Sequence, residues 1–152
     1  MSLSINQKLT CKNSGDTITI LKELGSGGQG SVYLVEGVIS GRKALKWYND
    51  KTLGDSRQRD EKWASLSRIV GKSPDGDVNS AFAWPIELVE YGDKFGYIMD
   101  FIDQSQYITI LKMMTGKKQY QPTQQMKTLI SLNIVTAFAK LHAAYVFSSQ
   151  RK

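Results

Sequence analysis

Apolar and polar residues alternate most cleanly between Trp84 and Ile102, on either side of a Gly92-Asp93-Lys94 turn. That period of two around a glycine turn predicts a β-hairpin. Upstream, Ser31 to Gly37 is β-branched and aromatic and closes on a glycine, so it reads as a strand ending in a turn. Between these two regions the period changes. From Asp55 to Val70 the residues Trp63, Leu66, Ile69 and Val70 recur at helical spacing, and Gly71 is a stop signal. After the hairpin, Tyr107 to Thr115 predicts a short helix ended by Gly116, with a polar connection to Pro122. Thr123 then opens a long helix that places Met126, Ile130, Ile134, Phe138 and Leu141 on one face, with Leu129 and Ala137 beside it, ending near Leu141-His142. Ser73 to Ser80, with Pro74 and Gly76, is the most loop-like interior stretch. The chain therefore reads as α+β, an antiparallel sheet with one packed helix followed by helices.

The candidate chemistry lies in Leu24-Gly25-Ser26-Gly27-Gly28-Gln29-Gly30-Ser31-Val32-Tyr33 and in the Lys43-Ala44-Leu45-Lys46 that follows. A G-x-G-x-x-G run is shared with dinucleotide-binding folds, where it must open a helix whose N-terminus receives the pyrophosphate. Asp50 stands at about the 20-residue distance at which such folds place a ribose-binding acid. Here a strand follows the glycines instead, and Gly37 and Gly41 interrupt any helix. Gly25, Gly27 and Gly30, lacking Cβ atoms, let a hairpin tip bend and bring backbone N–H groups near phosphate oxygens. Two residues apart on one strand, Ala44 and Lys46 share a face. Ala44 leaves room there for a flat ring, and Lys46 offers a cation. An ordinary exposed strand lysine is the plain alternative for Lys46.

These residues resemble the ATP-binding lobe of protein kinases, over about Leu21 to Leu141. The resemblance implies that Gly25, Ser26, Gly27, Gly28, Gln29 and Gly30 cover the phosphates, Val32 and Ala44 hold adenine, and Lys46 pairs with the α- and β-phosphates. It also implies a helix glutamate opposite Lys46, for which Glu61 is the candidate and Asp60 the second choice; either could instead be a solvated charge. Met99-Asp100-Phe101-Ile102 looks like the kinase hinge. By that likeness Met99 guards the pocket, the Asp100 carbonyl accepts from the adenine amino group, and the Ile102 N–H donates to a ring nitrogen. Plain core packing is the alternative for Met99. The implied division is a nucleotide-binding N-lobe and hinge over 1–102 and part of a helical C-lobe over 103–152.

Where the family carries its catalytic loop, this chain has Ala143-Ala144-Tyr145-Val146-Phe147 and then Ser148 to Lys152. It holds no His-Arg-Asp segment and no Asp-Phe-Gly. Asp93-Lys94-Phe95-Gly96 is a superficial echo in a hairpin turn. The expectation is thus a truncated kinase-like domain that binds ATP, lacks the Mg2+ ligands and is inactive alone. The complete form would transfer the γ-phosphoryl to protein Ser or Thr hydroxyls. No metal-ligand set is read from the sequence, and His142 is the only histidine.

Composition changes this picture little. The 152 residues carry a net charge of +6, but the basic residues are scattered, which suits a solvated surface better than a nucleic-acid interface. A nucleic-acid binder and a non-catalytic interaction module of the same fold are the two alternatives. The one cysteine, Cys11, excludes an internal disulfide and points to a cytoplasmic setting. No run reaches membrane-spanning length. The apolar face of the 123–142 helix would, uncovered, drive self-association or engage a protein partner.

Overall fold

The computed structural model describes residues 2–37, 41–72, 81–103, 105, 109–115 and 121–149. Among them, β1 (Lys8–Thr10), β2 (Thr17–Gly27), β3 (Gly30–Gly37), β4 (Lys43–Tyr48), β5 (Glu87–Tyr91) and β6 (Lys94–Asp100) form one antiparallel sheet in the order β1-β2-β3-β4-β6-β5. Between β4 and β5 come α1 (Asp50–Leu53) and α2 (Ser56–Ile69). The chain then continues through α3 (Ile110–Thr115) and α4 (Gln124–Ser149). It divides into two compact units: one contains the sheet with α1 and α2 and ends at Phe101, and the other, containing α3 and α4, resumes at Ile102.

The expected elements of the first unit appear, and each has a local cause. The hairpin of β5 and β6 turns on Gly92, whose φ is +63°. Asp55 caps α2 in a capping box, accepting from the Gln58 N–H while the Gln58 side chain accepts from Asp55 N–H. Three elements went unread in the sequence. The strand β1 has only three residues, α1 is a single turn capped by Asn49, and the full length of β2 includes two register shifts, at Ile20/Lys22 and Glu23/Gly25. Each bulge adds a residue to β2, and together they bring Gly25 opposite Val32.

The sheet curls until its two edges meet. Cys11, just past β1, forms an isolated antiparallel bridge to Val89 of β5, and Lys12 N–H donates to the Leu88 carbonyl. Glu87, buried on β5, fastens the same seam: its carboxylate accepts from Asn13 N–H at 3.1 Å, Ser14 N–H at 3.0 Å and its neighbour Leu88 N–H at 2.8 Å. A buried carboxylate needs such donors, because unpaired it costs several kcal/mol, on the order of the stability of a whole domain. Burial, and next the Glu87 charge, push the Cys11 thiol up to about 11. Inside the curl, Leu9, Cys11, Ile18, Ile20, Tyr33, Val35, Leu45, Trp47, Val89 and Ile98 make the main core.

On the outer face of the sheet, α2 covers one end. Leu66 and Val70 pack with Leu53, Leu88 and Phe95, flanked by Tyr48, Trp63, Ile69 and Tyr97. Trp63 meets the Phe95 ring edge-on at 5.0 Å. Arg59 ties the helix to the β5–β6 hairpin, donating to the Asp93 carbonyl at 2.6 Å and to Glu90 at 2.9 Å.

In the second unit, α4 runs helical to Ser149, past the expected end at Leu141-His142. Ala143 and Ala144 are strong helix formers, and no glycine or proline follows to stop the helix. Of the short helix expected over 107–115, Ile110–Thr115 is present, while 107–108 lie outside the described residues. The expected loop over 73–80 and the start of the connection, 116–120, lie outside the described residues. None of the described helices is long and apolar enough to cross a membrane.

Candidate functional site

Antiparallel partners standing opposite one another point to the same face of a sheet, so the register alone assembles the site. Lys46 of β4 stands opposite Val32 of β3 and Tyr97 of β6; Ala44 stands opposite Leu34 and Met99. Val32, Ala44, Lys46 and Met99 therefore share the outer face, the one that α2 covers at its far end. Ala44 is buried, while Val32, Lys46 and Met99 are half-buried. These four residues combine an apolar strip with a cation.

The glycine-rich hairpin joins β2 to β3 beside the end of β4. Gly27 pairs with Gly30, which leaves Gly28 and Gln29 as the tip, and Ser26 stands opposite Ser31. The glycines are not equivalent. A Cβ at Gly25, Gly27 or Gly28 would meet nothing within 4 Å, whereas one at Gly30 would lie 2.0 Å from the Trp47 carbonyl oxygen. Gly30 also has a φ of +140°, open only to glycine. Gly30 is thus required by the approach of β3 to β4, and the other three leave space around the tip.

Lys46 has aromatic neighbours rather than acids. Tyr48 and Tyr97 flank it on the same face, their rings 6.1 Å apart. Burial, and next the neighbouring Tyr97, push the Tyr48 phenol up to about 12, and burial raises Tyr97 as well. Both are neutral hydroxyls at physiological pH. Among the described residues no acid lies within ion-pair distance of Lys46.

The expected Lys46–Glu61 pair is absent from this structure. Glu61 is exposed and pairs with Arg57 one turn earlier, at 3.0 Å. The phase of α2 explains it: Trp63, Leu66 and Val70 set the inward face, and Glu61, two residues before Trp63, falls on the opposite side. Asp60 is exposed too and lies 3.4 Å from Arg59. The side chain of α2 that does reach toward this region is Lys62, whose Nζ lies 5.3 Å from the centre of the Tyr48 ring.

At the end of β6, Asp100 accepts from Lys43 at 2.7 Å with its carboxylate, and Met99 keeps its place beside Ala44. Ile102, where the chain re-enters the second unit, is exposed. Sequence reasoning missed the flanking tyrosines and Asn49; the pattern Tyr48-Asn49-Asp50 signals only a helix cap. Asp50, the ribose-binding candidate of a dinucleotide fold, is instead paired with Lys94 at 2.6 Å, and β3 rather than a helix follows the glycines.

No family model and no curated protein sequence matches this chain. Solved structures do. The kinase domain of Mycobacterium tuberculosis PknI is similar with a TM-score of 0.52 and 20% identity, over 68% of this chain and 38% of that domain. A mutant form of the same kinase domain gives a TM-score of 0.53 at 20% identity, again over 68% of this chain and 38% of its own length. The chain thus spans well under half of the kinase domains it resembles. A six-stranded sheet with the glycine-rich hairpin, the lysine strand and one packed helix, in that chain order, gives this protein an α+β, protein kinase-like fold.

Proposed function

We propose that this chain binds ATP on the outer face of its sheet, beneath the glycine-rich hairpin. The observation that carries the reading is the alignment of Val32, Ala44 and Lys46 on one face, on strands continuous with a hairpin whose Gly25, Gly27 and Gly28 leave open space. Val32, Ala44 and Met99 would take the adenine, with the Asp100 carbonyl and the Ile102 N–H reading its edge. Lys46, with Gly25 to Gly30 including Ser26 and Gln29, would take the phosphates. The fit rests on an unpaired cation and uncrowded backbone, the two things a polyphosphate requires.

In the whole protein the reaction class is transfer of the ATP γ-phosphoryl to a protein hydroxyl. The 152 residues contain neither the His-Arg-Asp nor the Asp-Phe-Gly segment that positions the acceptor and holds Mg2+, so this stretch is the ATP-binding part of that activity. Its setting is proposed as cytoplasmic.

Calorimetric titration with ATP tests the reading. Wild type is expected to bind weakly, and Lys46→Ala to bind at least about tenfold more weakly, as loss of a charge-assisted phosphate contact implies. Wild-type binding that Lys46→Ala leaves unchanged would favour a non-catalytic interaction module instead. Binding to nucleic acid with a steep salt dependence would favour the remaining alternative.

A further inference from the structure

Asn49 sits at the junction of β4 and α1, where its backbone carbonyl accepts from the Thr52 and Leu53 N–H groups, and it makes three further hydrogen bonds of two kinds. Its Oδ1 accepts from the Thr52 N–H at 2.9 Å, which caps α1. Its other two bonds run to the tip of the glycine-rich hairpin: Nδ2 donates to the Gly28 carbonyl at 3.0 Å, and the backbone N–H donates to the Gln29 carbonyl at 3.1 Å. Both carbonyls of the tip dipeptide are therefore engaged by one residue. Close by, Gly30 lies so near Trp47 and Tyr48 that no Cβ fits.

We propose that Asn49 is the positioning residue of the glycine-rich tip, holding Gly28 and Gln29 in place over the phosphate end of the nucleotide site. This rests on the ATP-binding reading above. Peptide units are planar and the described ones are all trans, so fixing the Gly28 carbonyl also fixes the opposed N–H of Gln29. A glycine-rich hairpin would otherwise be ordered at the moment of binding, and the clamp removes that entropic cost beforehand. The effect belongs to the phosphates alone, since Asn49 lies beyond the strand pairing that aligns Val32, Ala44 and Met99.

Asn49→Ser separates the two roles, because serine caps helices well but lacks the amide that reaches Gly28. Asn49→Asp is the second variant, near in shape, with an acceptor in place of the donor. Heteronuclear relaxation of the Gly28, Gln29 and Gly30 amides and titrations with ATP and with adenosine are the readouts. In both variants the tip amides are expected to lose order while the Thr52 amide stays protected. ATP affinity should fall about fivefold in Asn49→Ser with adenosine affinity unchanged, as expected for lost preorganisation. Unchanged tip order in both variants would overturn the clamp, and a parallel fall for ATP and adenosine would overturn its link to the phosphates. Wild type that binds neither compound would overturn the ATP-binding reading, and the relaxation data would still decide whether Asn49 holds the tip.

Discussion

Val32 and Lys46 stand directly opposite one another on neighbouring strands, so the branched side chain and the ammonium rise side by side from the same face of the sheet. Lys46 is half-buried there and has no acidic partner among the described residues. Its removal therefore breaks no ion pair. Lys46→Met is expected to leave stability within about 0.5 kcal/mol of wild type while weakening ATP binding. Urea denaturation of the variant beside wild type checks the first half, and a loss of several kcal/mol would show that Lys46 holds the fold.

The glycines of the loop should separate in the same assay. Gly30→Ala places a methyl against the Trp47 carbonyl in a backbone conformation closed to alanine, and should cost about 2 to 4 kcal/mol. Gly27→Ala meets open space and should be neutral, or stabilising by up to about 1 kcal/mol through the unfolded state. Equal effects of the two would mean that the hairpin does not approach β4 as described.

Glu87→Gln tests the seam that closes the sheet. The carboxylate accepts three backbone N–H groups, and an amide in its place turns one donor against another. A loss of about 2 to 3 kcal/mol is expected, together with faster exchange of the Asn13 and Ser14 amides. A variant as stable as wild type, with both amides still protected, would show that the seam holds without the charge.

The pair of Asp50 and Lys94 makes stability depend on pH at both ends. The Lys94 ammonium holds the Asp50 carboxyl below its ordinary range, and Asp50 in turn holds Lys94 above its own. A depressed folded carboxylate contributes above its unfolded pKa of about 3.9, and that contribution is lost as pH falls through the lower folded value. The raised lysine contributes below its unfolded value of about 10.4 and loses that contribution as pH rises through the folded one. Asp50→Asn should flatten both limbs of a plot of urea midpoint against pH. Limbs of unchanged slope would assign the dependence to other groups.

Met126, Leu129, Leu132, Val135 and Phe138 are all at least half exposed on α4, Leu132 at 59% and Phe138 at 58%. They surround the helix rather than forming one stripe, the pattern of a helix meant to be covered on every side. The 152-residue chain is expected to self-associate or engage a protein partner through them. Light scattering should show species larger than a monomer, reduced in Leu132→Glu with Phe138→Glu. A clean wild-type monomer would exclude self-association by this route.

Much of this protein follows from local pattern. The hairpin at Gly92, the helix from Asp55 to Val70 and the turn at Gly28 rest on side-chain period and on the φ preferences of a few residues, which act within a single turn or strand. So does the shared face of Ala44 and Lys46, two residues apart on one strand. The tertiary structure decided what depends on distant partners. The phase of α2, set by Phe95 and Leu88 from the far hairpin, turned Glu61 outward. The two bulges that bring Gly25 to Val32, the seam from Cys11 to Val89 and the reach of Asn49 to the Gly28 carbonyl join residues up to 78 apart in the chain. No local period records such contacts, because they are formed by the closure of the sheet as a whole.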